Sequence, residues 1–319
     1  MSKITENREK LLEIAKDIRD IITKKQEELE LSFIEDTHTY YMRDLNGVIR
    51  TDYPSVSTVI KQFYKEFPDL EKSYDMCNGD IVEQDKLLTQ WRGTADYANG
   101  KGSRTHFLLE TDLLKLYGSY KSVREPIFNC DADQIRDSNA MIDAGHKFIQ
   151  LMHRRGAVLL DTEMVLGSPD LGYTGQPDKV WIMFNEEGKL GLVITDWKTN
   201  KQKNFEVHSY TEPMLPPFDD YMDTALSHYM IQLPLYARLL LNMLNGTKYE
   251  DINLFGAIIV HLLDNAKFVE YRIPKNFINI VLTMDPLIRI DEVMRNKKEY
   301  AKKEAERIRL LNEALNKPL

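Results

Sequence analysis

The chain has 319 residues, 43% of them apolar, enough for one elaborated domain or two small ones with a sizeable core. A net charge of −8 and a pI near 5.5 argue against a basic coat for duplex DNA and leave any nucleic-acid contact to local basic patches. Two cysteines, Cys77 and Cys130, exclude a disulfide scaffold and a four-cysteine iron–sulfur cluster within one chain.

No apolar run is long enough to span a membrane, and Met1–Gln26 carries acids rather than a secretory or mitochondrial leader pattern. The expectation is a cytoplasmic protein with no membrane partner. Along the chain, Ile4–Leu29 predicts an amphipathic helix with Leu11, Leu12, Ile14, Ile18, Ile21 and Ile22 as its apolar stripe. A small hairpin follows, with strands near Phe33–Ile34, His38–Met42 and Val48–Arg50, and then a short helix over Ser55–Gln62 capped by Ser55 or Ser57. Asp80–Ala98 and Arg104–Tyr117 read as two helices separated by the small-residue run Gly100–Ser103, and Ala132–Arg155 as another. Val158–Leu166 opens the core sheet, which resumes at Asn253–Leu262 and Lys267–Ile273. Thr211–Asp220 reads as a surface loop. Asp223–Leu244 reads as a helix in which Pro234 marks a kink or a start, and Phe277–Asn316 as helical, ending in the strongly charged Asn296–Glu313. The expected divisions are 1–100, an N-terminal helix, hairpin and helical elaboration; 101–275, the core; and 276–319, C-terminal helices.

The chemistry concentrates in Gly172–Asn200. Two β-rich runs flank the polar loop Asn185–Gly188. Pairing Phe184 with Lys189 sets Asp178 opposite Thr195, beside Asp196. Alternation then places Asp196 and Lys198 on one face and turns Trp197 into packing. Two carboxylates ~4 Å apart repel by roughly 4 kcal/mol at an effective dielectric near 20. Lys198 offsets part of this, and a hard divalent ion would offset more. Oxygen ligands favour Mg²⁺ or Mn²⁺, one or two ions, and such a site suits phosphodiester hydrolysis. As a mere exposed ion pair, Asp196 and Lys198 would contribute under about 1 kcal/mol. Asp196, however, follows a buried-type apolar run, where an unpaired acid is costly.

These residues carry a resemblance. Pro177-Asp178 followed by Asp196-x-Lys198 resembles the PD-(D/E)xK nuclease motif, in its RecB-like exonuclease subtype. Upstream, Gly102-Ser103-Arg104-Thr105-His106 and the following Phe107–Glu110 are similar to that subtype's G-x-x-x-H helix. Downstream, Gln232–Tyr236 is similar to its Q-x-x-x-Y helix. Pro54–Val59 resembles the P-S-V-T-x-(V/I/L) stretch ahead of the core in mitochondrial genome maintenance exonucleases and phage relatives. The resemblance covers roughly residues 33–272. It implies an α/β, restriction-endonuclease-like fold: a central mixed sheet flanked by helices, with an N-terminal helical elaboration. The implied activity is a metal-dependent DNA exonuclease of recombination, repair or replication, acting on DNA with a free end or a single strand. The implied catalytic residues are Asp178, Asp196 and Lys198, and the implied metal ligands are His106, Glu163, Asp178, Asp196 and the Trp197 carbonyl. Gln232 and Tyr236 would hold substrate phosphate or the lysine.

Asp161 shares a strand face with Glu163, so either could be the ligand; Glu163 is favoured. Further substrate contacts are expected from Arg104, grouped with Lys101 beside His106; from Lys201, grouped with Lys198 and Lys203; and from Tyr173 stacked on a base. His38, His146, His153, His208, His228 and His261 read as structural or surface residues. Two other functions share these residues: a structure-selective or restriction-type endonuclease, and a catalytically inactive DNA-binding or scaffolding module.

Overall fold

In a computed structural model, which describes residues 3–117, 126, 128–201, 205–206 and 212–316, the elements run as follows. Helix α1 (Lys3–Glu28) precedes a three-stranded antiparallel sheet of β1 (Ser32–Ile34), β2 (Thr39–Arg43) and β3 (Ile49–Arg50). Then come α2 (Val56–Val59), α3 (Asp69–Met76), α4 (Ile81–Leu116) and α5 (Ala132–Arg154). Strands β4 (Val158–Thr162), β5 (Leu166–Ser168), β6 (Tyr173–Gly175), β7 (Lys179–Phe184) and β8 (Leu190–Lys198) follow. Helix α6 (Ala225–Leu244) leads to β9 (Asn253–Leu262), β10 (Phe268–Arg272), α7 (Lys275–Thr283) and α8 (Ile290–Leu315). Among the described residues, no helix is long and apolar enough to cross a membrane.

The caps are local chemistry. The Ser55 side chain accepts the Thr58 N–H at the head of α2, and Asp80 accepts those of Val82 and Glu83 at the head of α4. Asp131 and Gln134 form a reciprocal capping box on α5.

The central sheet is mixed, in the order β10-β9-β8-β7-β4. Its one parallel pair is β8 with β9, joined by α6 as a crossover; the other pairs are antiparallel. Period-two alternation divides the side chains between two cores. Val180, Ile182, Leu192, Ile194 and Ile259 face α1, α2, α6 and α7. Trp181, Val193, Trp197 and Val260 face α4 and α5. Burial on both faces explains why Leu190–Thr195 is nearly all apolar. Leu11, Ala15, Ile18 and Ile22 bury α1 in the first core, and Arg19 donates to the Leu160 carbonyl at 2.9 Å.

Five features differ from the sequence expectations. The hairpin register is shifted by one: Phe184 pairs with Leu190 and Lys179 with Thr195, so continuing the ladder puts Asp178 opposite Asp196. The shift arises because Asn185 accepts the Lys189 N–H while left-handed Gly188 closes the turn, leaving Lys189 in the loop. The two expected helices around Gly100–Ser103 are one continuous 36-residue helix, α4, so the boundary at 100/101 falls inside it. Val158–Leu166 is broken at Glu163, and its second part pairs with β6 in a separate two-stranded sheet. The C-terminal helices are α7 and α8, but 277–316 is not helical throughout, being interrupted around Pro286. Pro234 lies inside α6, which removes the helix-start alternative.

At Gly100, Gly102 and Gly145 a side chain from another part of the chain occupies the space a methyl group would need. A methyl group on Gly145 of α5 would lie 2.5 Å from Leu109 Cδ1 of α4, which is fully buried. Gly145→Ala should therefore lower the unfolding free energy by about 1–3 kcal/mol through overpacking, measured by urea denaturation.

Candidate active site

Asp178, Asp196 and Lys198 share the α6-facing side of the sheet at the carboxyl end of β8. Lys198 Nζ lies 2.5 Å from Asp196 Oδ2, and the Trp197 N–H donates to Asp178 Oδ2 at 2.9 Å. Asp178 is thereby tied to β8 beyond the last ladder pair. His106 Nδ1, from the middle of α4, lies 3.3 Å from the same carboxylate oxygen. His106 is thus not at a helix start. Gly102, one turn earlier, lets the helix approach: a methyl group there would lie 2.9 Å from Thr199 Oγ1. The Trp197 indole is buried in the α4/α5 core, so only its main chain can act at the site.

Glu163 sits where β4 breaks. Its φ of +44° is a left-handed conformation that costs a non-glycine residue of order 1–3 kcal/mol. Its N–H donates to the Asp178 carbonyl at 3.1 Å, and its carbonyl accepts from Gln176 Nε2 at 3.0 Å. This bend turns Glu163, not Asp161, into the cleft; Asp161 is buried and accepts the Thr162 N–H. On α6, Gln232 Nε2 donates to the Tyr236 hydroxyl at 2.8 Å. Tyr236 packs against Gly175, ahead of Pro177-Asp178, where a methyl group would lie 2.7 Å from its ring. Together these elements border a cleft of about 550 Å³ whose walls include His38, Ser103, His106, Glu163, Asp178, Lys198, Asn200 and Tyr229.

The electrostatics follow from burying this charge. Burial pushes the Asp178 carboxyl up, but His106, Lys179, Lys198 and the Trp197 N–H together outweigh it and hold the group down at about 2. Asp196 goes the other way, to about 7, through burial and the neighbouring Asp178 charge, against the pull of Lys198. Burial and Asp178 also raise Glu163 well above the ordinary carboxylate range. Burial lowers His106 to about 4 despite Asp178, so the imidazole is neutral at pH 7. Lys198 is held protonated because the Asp196 charge overcomes its burial.

Three carboxylates, one neutral imidazole and the Trp197 carbonyl form a donor set that fits a hard divalent cation. The carboxylates engage Lys198 and His106 directly, and among the described residues no three acidic, histidine or cysteine side chains already converge as a ligand group. Binding an ion would require these contacts to rearrange.

None of the five expected substrate contacts, Arg104, Tyr173, Lys201, Gln232 and Tyr236, lines this cleft; α6 reaches its wall through Tyr229 instead. Arg104 points to α5, donating to Ser138 and to Asn139 Oδ1. Tyr173 is fully buried, its hydroxyl donating to the Leu235 carbonyl, because β6 packs beneath α6. Lys201 is exposed and is not part of the cleft wall. Lys203 and His208 lie outside the described residues. Conversely, His38, read as structural or surface, borders the cleft, delivered by the turn between β1 and β2. Tyr40 of β2 lies close enough for Glu163 to raise its phenol, after burial as the larger cause. Lys179, buried in an apolar strand, places Nζ 3.8 Å from Asp178 Oδ2 and 4.5 Å from the Trp197 ring centroid. A lysine heading the strand, directly before the apolar run Val180–Phe184, was its available signal. Tyr229, three residues before Gln232 on the same helix face, was legible in the same way.

Compared with known proteins, the chain matches no family model and no curated protein.

Divalent-ion binding should be linked to proton release. The metal-free protein favours a proton on Asp196 below about pH 7, burial likewise favours the protonated form of Glu163, and a cation must displace such protons, whereas His106 is already neutral there. Mn²⁺ affinity should rise from about pH 6 to about pH 8 as the proton leaves before the ion arrives. Calorimetry in two buffers of different ionisation heat should show protons released at the lower pH and few at the higher. PH-independent binding would remove Asp196 from the ligand set.

Proposed function

We propose that this chain is a divalent-metal-dependent nuclease of the PD-(D/E)xK type, with a restriction-endonuclease-like core, hydrolysing DNA phosphodiesters from an end. One observation carries the reading. Four separate elements, α4, the break after β4, the start of β7 and the end of β8, bring His106, Glu163, Asp178 and Lys198 to one solvent-open cleft, with Asp196 buried against Lys198 just behind its wall. A mixed sheet with helices on both faces and a βαβ crossover beside the site supports the fold assignment. The exonuclease direction of the reading comes from the motif resemblance.

Asp178, Asp196, Glu163, His106 and the Trp197 carbonyl would hold one or two Mg²⁺ or Mn²⁺ ions. When bound, the metal supplies Lewis acidity to the phosphoryl oxygen and acidifies water. The chain's own residues do the rest. Lys198, on the same strand face as Asp196, orients the attacking water or neutralises charge building on the phosphate. Tyr236, its phenol kept protonated by burial first and the Asp196 charge second, offers a hydrogen bond that Gln232 orients.

End-labelled linear DNA and a covalently closed circle, incubated with Mg²⁺, Mn²⁺, Ca²⁺ or EDTA, test the proposal. Linear DNA should be degraded with Mg²⁺ or Mn²⁺ and spared in EDTA, with the circle intact; cleavage of the circle makes the protein an endonuclease. Asp178→Asn and Asp196→Asn should abolish turnover in folded protein. Lys198→Ala should lose at least about a hundredfold in single-turnover rate while keeping metal and DNA binding. A near-normal rate with weak DNA binding would make Lys198 a phosphate anchor only.

A further inference from the structure

Beyond the acids, the end of β8 carries a second set of contacts centred on its lysine. Lys198 Nζ lies 4.1 Å from the centroid of the Tyr229 ring, with Asp196 Oδ2 at 2.5 Å. The Tyr229 hydroxyl donates to Asn200 Oδ1 at 3.2 Å. The Asn200 carbonyl, in turn, is 2.7 Å from His261 Nε2. A carbonyl only accepts, so Nε2 carries the proton. Nδ1 is then a lone pair, buried and without a hydrogen-bond partner among the described residues. His261 is fully buried and stacked on Phe205, with centroids 4.2 Å apart and planes 12° from parallel. A buried polar atom without a partner is uncommon; here it accompanies an imidazole whose other nitrogen anchors the residue two positions past the lysine.

A lysine ammonium is a point charge on a flexible four-carbon stem, so one carboxylate fixes its distance but not its direction. An aromatic face opposite the carboxylate supplies the second constraint, because the ring's negative face attracts the cation. Gln232 and Tyr236 hydrogen-bond to each other, which leaves the face of Tyr229 as the α6 surface seated on the ammonium.

We propose that Tyr229 is a positioning residue for Lys198. Its ring clamps the ammonium against Asp196, and Asn200, anchored by His261, holds the ring in place. The effect on rate rests on the nuclease reading; the clamp itself does not.

Two measurements test it. In single-turnover DNA hydrolysis, Tyr229→Leu should slow the chemical step about tenfold, with KM and Mn²⁺ affinity within about twofold of wild type. Tyr229→Phe, which keeps the ring and loses the bond to Asn200, should lose only about threefold. In a Lys198→Ala background, Tyr229→Leu should cause no further loss; an independent, multiplicative loss would overturn the proposal. Separately, NMR of the Lys198 ε-methylene should show an upfield ring-current shift that is reduced in Tyr229→Phe, which loses the bond to Asn200, and vanishes in Tyr229→Leu. An unshifted wild-type signal would overturn the clamp. If Tyr229→Leu does not fold, Asn200→Ala, which frees the ring, should diminish the shift, and an unchanged shift would overturn the anchoring role. If the wild-type protein leaves DNA intact, the nuclease reading fails, while the NMR comparison still decides the clamp.

Discussion

Asp178 and Asp196 face each other across adjacent strands at a buried sheet end, and like charges taken out of water together require compensation from whatever surrounds them. Compensation arrives from both faces of the sheet. Lys198 approaches Asp196 from the α6 side, while Lys179 reaches Asp178 from the α5 side, flanked by the Trp197 ring. The Trp197 N–H and the His106 ring complete the surroundings of Asp178. None of these groups is independent. Removing one carboxylate would strand a buried ammonium, and removing one lysine would strand a buried carboxylate. The electrostatic unit is therefore the whole hairpin end rather than any pair within it.

The hairpin end was legible in the sequence because its geometry is local. A polar turn, two β-rich runs and period-two alternation suffice to bring Asp178 to Asp196 and to orient Lys198. The one-residue register difference moved Asp178 from beside its partner to directly opposite it. Helix caps were legible for the same reason, since Ser55 acts within its own first turn. Glu163 was legible as an acid near the site, but its bend was not. A left-handed glutamate is held by Gln176 and by the Asp178 main chain, and nothing in the segment around it announces that conformation.

The less legible features depend on distant packing. The run Gly100–Ser103 reads as a helix break, yet α4 passes through it, as it does through Gly93. Both glycines of that run lie against other parts of the chain: a methyl group on Gly102 would crowd Thr199, and one on Gly100 would crowd Gln134. Tertiary packing outweighs the roughly 1 kcal/mol that glycine costs inside a helix. Arg104 and Tyr173 were misplaced for a related reason. Composition brought Arg104 near His106, but helical rotation turns it toward α5, and Tyr173 lies beneath α6 rather than in the loop ahead of Asp178. His38 and Tyr40 arrive from a small sheet more than a hundred residues upstream of the hairpin, a juxtaposition that no local pattern encodes.

The continuity of α4 also bears on how the chain acquires this site. The acids and Lys198 sit on one hairpin, whose contacts span few residues and close quickly. His106 comes from a helix made much earlier during synthesis, and Tyr229 and Tyr236 from one made later. On an emerging chain, α4 can be complete while the strand end it will cover does not yet exist, and the carboxylate pair forms before α6 can cover it. Until the crossover helix docks, that pair remains in contact with water, where its repulsion is weak. The energetic conflict at the centre of the site therefore develops only as the crossover helix seats, and its lysine partners are by then already in place.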